Sequence, residues 1–490
     1  MRLSVILLLD FFFFFFLIIL SLFIYEKRNL YSYAGRRMNI FIGKFRMTSL
    51  RLSYSPPSAV SFLLHRRLFT TFQCSASTHS KKEKVIVISG PTGAGKSRLA
   101  LELSKKLNGE IISADSVQVY QGLDVGSAKP STSERQEVPH HLVDILHPSE
   151  DYSAGNFYDD GRQATKDILN RGRVPIVTGG TGLYLRWFIY GKPDVPKATS
   201  EISLEVQSEL AGFERTYDWD AAVQLVTNAG DPTAQSLPAN DWYRLRRKLE
   251  IIKSSGLPPS AFPVPYDSFK GETASHSIDV GIDISTNGIL DEKHKDLDYD
   301  FICFFLSTSR LDLYRSIDFR CEDMISGDTG ILSEARWLLD MGLQPNSNSA
   351  TRAIGYRQAM EYLLNCENQG GRSSTRDFYA FLSEFQKASR NFAKRQLTWF
   401  RNEPIYHWID ASRPLTEVLD FIYNAYHDQT GKLVVPRSLA MDKEMADRRE
   451  ITQLKTYRTK RGVFISQEDC SDVLDWISNN QRRTTELIAN

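Results

Sequence analysis

Short apolar runs alternate along the chain with amphipathic stretches of about three turns. Lys84–Ser89 (KVIVIS) carries no charge after its first residue and predicts a short buried strand. Lys96–Leu107 sets Leu99, Leu103 and Leu107 four residues apart on one helical face, and the pattern stops before Asn108-Gly109. Glu110–Ala114 (EIISA) predicts a second strand, 155–171 a second helix, and Val174–Thr178 (VPIVT) a third strand entered through Pro175. Strands that alternate with helices predict an α/β class, a parallel sheet covered by helices. From 195 to about 260 the pattern is helical. Pro258–Asp300 is rich in Pro, Gly, Ser and charge and predicts a long loop or linker. Phe301–Ser307 (FICFFLS) predicts a strand returning to the sheet, and helices dominate from Arg310 to Arg401. Beyond Val434 the chain is polar and weakly periodic, and no role follows from it. No internal repeat is present.

The first 82 residues differ from the rest. Leu3 to Tyr25 is almost wholly apolar, with six phenylalanines at 11–16 and one interruption at Asp10, long enough for a membrane anchor or signal segment. From Lys27 to Lys82 there are 11 basic residues and no acid, with Ser and Thr clustered between Thr48 and Ser80. That composition predicts an organelle transit peptide, and Met38 or Met47 could begin it without the phenylalanine run. The expected destination is a mitochondrion or plastid. The alternatives are the cytoplasm and a membrane tether through 3–25.

Charge and cysteine change the picture further. The whole chain of 490 residues has a net charge of +1, yet 83–490 holds 48 basic and 57 acidic residues, a net of −9. Nucleic-acid binding must then come from a local basic face. Cys74, Cys303, Cys321, Cys366 and Cys470 lie far apart with no C-x-x-C pair, which argues against a disulfide scaffold and a compact zinc finger.

Three turns carry candidate chemistry. Gly90-Pro91-Thr92-Gly93-Ala94-Gly95-Lys96-Ser97 matches G-x-x-x-x-G-K-S between a strand and a helix, the context of a P-loop. Its backbone N–H groups and helix N-terminus would converge on phosphate oxygens, Lys96 would neutralise them, and the Ser97 hydroxyl could ligate Mg²⁺. The loop alone suggests an ATPase or kinase. Asp115 follows the second strand, where it either ligates metal, accepts a proton or caps a helix. Thr181, in Thr178-Gly179-Gly180-Thr181-Gly182, offers a hydroxyl at the same edge or an ordinary helix N-cap. His140 and His141 read as locally hydrogen-bonded, and Tyr184 and Trp187 as helix packing. Three basic segments interleaved with aromatics, 240–248, 351–358 and 394–401, suit phosphates and unpaired bases or else are solvated helix faces.

Taken in order, these segments resemble the tRNA dimethylallyltransferase family. The matching text is GPTGAGKS at 90–97, ISADSVQVYQGLDVGSAKP at 112–130, VPHHLVDI at 138–145, YSAGNF at 152–157 and TGGTGLY at 178–184. It continues with NDWYRLRRKLE at 240–250, ATRAIGYRQ at 350–358 and AKRQLTWFR at 393–401. The resemblance spans roughly residues 84–410. It implies a P-loop NTPase-like sheet with a mainly helical inserted tRNA-binding domain. The implied division is a leader at 1–82, a P-loop core at 83–194, a helical insertion and linker at 195–300, a return to the core with a helical tRNA-binding part at 301–433, and a tail at 434–490.

The resemblance also implies that the P-loop, Gly90 to Ser97, holds dimethylallyl diphosphate rather than ATP undergoing hydrolysis. The five-carbon group would pass to N6 of the adenosine at position 37 in the anticodon stem-loop of tRNA. Lys96 and Arg352 would stabilise the departing diphosphate, with Mg²⁺ near Ser97. Asp115 would take the N6 proton, and Thr181 would sit between donor and acceptor. The segments matching tRNA contacts are Asp115-Ser116-Val117-Gln118, Thr181, Tyr243-Arg244-Leu245-Arg246-Arg247 and Arg352-Ala353-Ile354-Gly355-Tyr356-Arg357.

Several positions depart from the family pattern. Ser97 stands where bacterial members often have Thr, and Ala353 where many have Cys. The 258–300 loop is longer than in bacterial members, and no C-x₂-C…H-x-H unit follows Arg401. The chain therefore resembles a bacterial-type, monomeric enzyme behind an organelle-style leader. A related class, which prenylates free AMP, ADP or ATP to make cytokinins, would need no RNA surface.

Overall fold

The computed structural model describes residues 82–269, 297–327, 330–430, 433–443 and 448–488. The apolar run at 3–25, the acid-free leader through 81 and most of the 258–300 linker lie outside the described residues.

Six strands form one parallel sheet: β1 (Lys84–Ser89), β2 (Gly109–Ser113), β3 (His140–His141), β4 (Val174–Gly179), β5 (Asp300–Ser307) and β6 (His407–Asp410), in the order β3-β2-β4-β1-β5-β6. β1 lies between β4 and β5, and its uncharged run reflects burial on both faces. Alternation of side chains sends Val85 and Val87 into one apolar cluster and Ile86 and Ile88 into another. On the Ile86 face lie α1 (Lys96–Leu107), with Leu99 and Leu103 inward, and a late helix, α12 (Leu415–His427), with Val418 and Ile422 inward. Between α1 and α12 in the chain come α2 (Thr132–Glu137), α3 (Ala154–Asn170), α4 (Gly182–Tyr190), α5 (Ser200–Thr216), α6 (Trp219–Asn228), α7 (Trp242–Ser255), α8 (Arg310–Ile325), α9 (Ile331–Asp340), α10 (Tyr356–Asn368) and α11 (Thr375–Arg401). Helices α3, α4, α8 and α11 contribute to the larger cluster on the Val85 face.

Helices α5, α6 and α7 form the insertion. They have a core of their own, with Val206, Leu210, Ala222, Val226, Leu245 and Leu249 buried together. Lys248 bridges to the buried Asp231 at 2.6 Å, and partnering of that kind offsets the cost of burying the charge. The strands predicted from the sequence are present, with β2 one residue earlier than expected. Besides the two-residue edge strand β3, two further elements of the core were not predicted. β6 is a four-residue edge strand paired with β5 in the register Phe305↔Trp408, and α12 follows it directly.

The described residues of the tail, 434–443 and 448–488, are also folded. They contain α13 (Arg448–Lys455) and α14 (Ser471–Ile488), and they bury Phe464, Cys470 and Ile477 in the main cluster.

Candidate active site

Strand register places the three candidate turns at one edge. Ser89 lies beside Gly179, and Thr178 lies beside both Ile88 and Ser113. The loops leaving β1, β2 and β4 therefore emerge together at the carboxyl ends of parallel strands, where open α/β sheets bind ligands. Two glycines make the approach possible. A Cβ at Gly179 would sit 2.2 Å from the Ala114 carbonyl oxygen, and one at Gly90 would sit 2.5 Å from that of Leu306.

The first loop is shaped to receive an anion. Gly93 and Gly95 have φ of 82° and 83°, which favours glycine. Gly95 precedes α1 with no side-chain cap and no acid in the first turn, so that turn's N–H groups stay open to phosphate. Lys96 donates to the Pro91 carbonyl at 2.8 Å. Part of its side chain remains accessible, but the ammonium sits deep. Burial, and then the neighbouring Arg320 cation, lower its pKa to about 7, while Asp115 opposes them. The Ser97 hydroxyl is exposed.

For Asp115 the metal, base and capping readings stood open. One of its oxygens accepts the Val117 N–H at 2.8 Å, the Gln118 N–H lying at 3.4 Å, and so closes a turn. The same carboxylate lies within electrostatic reach of Lys96 and Arg320, so a capping contact leaves its second oxygen for chemistry. Thr181 occupies the N-cap position of α4 but makes no side-chain cap, which leaves its hydroxyl unengaged by the helix.

A cavity of about 1580 Å³ opens over this edge. Thr92, Lys96, Ser97, Asp115, Ser116, Val117, Gln118 and Thr181 line its floor. Tyr243, Arg244, Arg246 and Arg247 reach it from the insertion, and Arg352, Ala353 and Ile354 from the far side. The Arg352 guanidinium lies 5.5 Å from the centre of the Tyr243 ring, which joins the two sides.

Other expected contacts are corrected. Leu245 and Tyr356 are fully buried, Leu245 in the insertion core and Tyr356 with its hydroxyl on Glu334 at 2.7 Å. Gly355 is packed as well, since a Cβ there would meet Ile331 at 2.7 Å. The Leu245 and Tyr356 side chains therefore face inward, and Gly355 is the close-packed turn before α10. They adjoin exposed residues in sequence, but successive residues of a helix point about 100° apart. Gly90, Pro91 and Ala94 are buried and give the loop its curve, so what Gly90 to Gly95 can offer an anion is backbone, and Arg357 lies outside the cavity lining, 3.9 Å from Glu361. Gln118 lines the cavity, yet its amide is engaged: it accepts from Ser113 Oγ at 2.8 Å and donates to the Ser127 and Ala128 carbonyls. Its work is to hold the 113–128 segment. His140 Nδ1 meets the Val138 carbonyl, local as expected, whereas His141 Nε2 reaches across the sheet to Glu110 of β2, 31 residues earlier, so its partner is not local.

One site residue escaped the sequence reading, and a second, within the basic segment 394–401, has a different role from the RNA contact expected of it. Arg320, on α8, lines the cavity, and burial depresses its pKa against the pull of Asp115. Gln396, on α11, accepts the Thr92 N–H at 2.9 Å and donates to the Gly180 carbonyl at 3.0 Å, tying the P-loop to the Thr181 loop. The readable signal was the same for both. Each is a polar side chain within an apolar stripe, Arg320 among Leu313, Ile317 and Met324, and Gln396 among Phe392, Ala393 and Phe400.

Fold and site together define a P-loop NTPase-like α/β protein with a helical insertion roofing its anion cradle. The IPP transferase family model matches residues 118–403, and an isopentenyl transferase model matches 83–144. The chain is 63% identical over 452 residues to tRNA dimethylallyltransferase 9 of Arabidopsis thaliana, covering 90% of this chain and 96% of that one. It is 37% identical over 347 residues to a tRNA dimethylallyltransferase of Protochlamydia amoebophila, covering 70% and 89%. Among solved structures, a eukaryotic dimethylallyltransferase captured acting on tRNA is similar, with 25% identity, a TM-score of 0.50, and coverage of 70% of this chain and 80% of that one. The chain belongs to the IPP transferase family.

Proposed function

We propose that the chain transfers the dimethylallyl group from dimethylallyl diphosphate to N6 of the adenosine at tRNA position 37, next to the anticodon on its 3′ side, and releases diphosphate. The observation that carries this reading is the meeting of an anion cradle, a carboxylate with a spare oxygen and an uncapped hydroxyl within one cavity. At about 1580 Å³ that cavity exceeds the roughly 300–1,000 Å³ of a small-ligand pocket, which suits a prenyl donor together with an extruded nucleotide.

The allylic carbon–oxygen bond breaks as the N6–carbon bond forms. The electron pair leaves with diphosphate, and N6 loses a proton. Lys96, the open N–H groups of the P-loop, Arg320 and Arg352 hold the charge developing on the leaving group. The free oxygen of Asp115 takes the N6 proton. The Thr181 hydroxyl orients the reacting groups between them. The Ser97 hydroxyl fits a Mg²⁺ ion, since it is an exposed hard oxygen donor that leaves the remaining positions to diphosphate and water. When bound, the ion supplies further charge neutralisation.

Presenting labelled dimethylallyl diphosphate with either tRNA or AMP tests the reading. Label is expected in tRNA, and label confined to AMP would overturn it. The basic, acid-free stretch from Lys27 to Lys82 supports import into a mitochondrion or plastid. A full-length fluorescent fusion should co-localise with one of these organelles, and a purely cytoplasmic signal would contradict the import reading.

A further inference from the structure

The tail beyond α12 was without a role, and its most unusual feature is charge. Residues 451–467 contain Lys455, Arg458, Lys460 and Arg461 and no acid, in a body whose net charge is −9 over 83–490. All four cations are exposed. None has a carboxylate partner among the described residues, whereas most surface cations on the insertion do.

This strap is held in place rather than loosely draped. The Tyr457 hydroxyl donates to the buried Asp318 at 2.7 Å, and its ring meets Tyr314 edge-on. One oxygen of the buried Glu322 accepts the backbone N–H groups of Gly462, Val463 and Phe464 at 2.9, 2.6 and 3.2 Å. Phe464 is sunk against Phe378. The Arg461 guanidinium sits over the Tyr379 ring, 3.8 Å from its centre, and the residue stays exposed. The buried acids Asp318 and Glu322 thus fix a strand of outward-facing cations.

The strap also adjoins the cavity wall. Thr459 accepts a hydrogen bond from Arg390 of α11 at 3.2 Å. Residues 386–402 of that helix and its end are also free of acids; Lys387 pairs with Glu384 and Arg390 with the buried Asp318, while Lys394 and Arg395 have no carboxylate partner among the described residues. Arg395 lines the cavity, about 7.5 Å along the helix from Arg390. The strap therefore meets the acid-free part of α11 at Arg390, about a turn and a half of helix from the cavity-lining Arg395.

We propose that the Lys455–Arg461 strap is a second contact surface for the sugar–phosphate backbone of the tRNA, continuing the basic helix beyond the cavity. This rests on the tRNA reading above. Unpaired, positionally fixed cations beside a polyanion site release condensed counterions when phosphates replace them.

The test is tRNA binding by fluorescence anisotropy from 50 to 300 mM KCl. It compares the full chain with a K455Q/R458Q/K460Q/R461Q variant whose folding is checked by thermal unfolding. Affinity should fall at least about tenfold at 150 mM KCl. The plot of log affinity against log salt should become shallower by about 2–4, at roughly 0.7–0.9 per lost phosphate contact. A folded variant with wild-type affinity and slope overturns the proposal. If the fourfold variant does not fold, R458Q/K460Q gives the same decision, because neither side chain bonds another residue among the described ones, and a slope change of about 1–2 is then expected. Failure of the unmodified chain to bind tRNA would be a different result, one that removes the tRNA reading itself.

Discussion

Lys96 gives the reaction its clearest pH dependence. Its ordinary value of 10.5 falls to about 7, chiefly through burial and secondly through Arg320. Donor binding needs the ammonium, so the free enzyme should lose donor affinity as pH rises through about 7. The KM for dimethylallyl diphosphate should climb by up to about tenfold per pH unit above that point, and Lys96→Arg, which stays protonated, should flatten the climb. The stability effect has the opposite sign. Between about 7 and 10.5 the unfolded chain binds more protons than the folded one, so this residue makes folding more favourable as pH rises through that window. Gln396 makes a separate case as a positioning residue. Gln396→Glu keeps an acceptor for Thr92 N–H but loses the donor to Gly180 and adds negative charge behind the cradle. Its KM for donor should rise about tenfold or more while its tRNA affinity changes little, and equal losses in both would argue for simple misfolding. Lys96, Asp115 and Thr181 were legible because each follows a strand in a short local pattern. The places of Arg320 and Gln396 in the site were not, because they arrive from helices some 200 to 300 residues further along the chain, and Gln396, though within the basic segment 394–401, turns inward to Thr92 and Gly180.

At the level of elements, the insertion behaves as a small core with an exposed rim. Leu245 is fully buried there, while Arg244, one residue earlier, is exposed. Leu245→Ala should cost about 2–5 kcal/mol in chemical unfolding of that unit. Arg244→Gln should stay within about 0.5 kcal/mol and weaken tRNA binding instead. An exposed-contact role for Leu245 would reverse that ordering. The same contrast shows why sequence segments overstate contacts: a five-residue match such as Tyr243–Arg247 wraps more than one full turn, so part of it must face inward. The uncharged runs of β1, β4 and β5 were readable because both faces of those strands are buried. β6 was not, since four residues at a sheet edge, His407–Asp410, show no period. The tail was obscure for another reason. Its ordering depends on two buried acids of α8, Asp318 and Glu322, and nothing in the tail's own pattern reveals them.

On the scale of the whole molecule, two sets of positions serve two substrates. The sheet edge, fixed by strand register, holds the groups suited to a diphosphate and a proton. The insertion and the helices of the return segment surround the opening with cations on a body that is acidic overall. The family and the P-loop-type sheet could be read from linear motifs, while the depth of the cavity and its roof are products of the packing between distant segments. The most direct check is single-turnover formation of N6-dimethylallyladenosine at position 37, read by nucleoside mass spectrometry with both substrates saturating, for the unmodified chain and for Asp115→Ala. The expected result is a rate loss of about 10²–10⁴ for the variant with tRNA affinity preserved. Equal rates, or modification of a different nucleoside, would contradict the central claim.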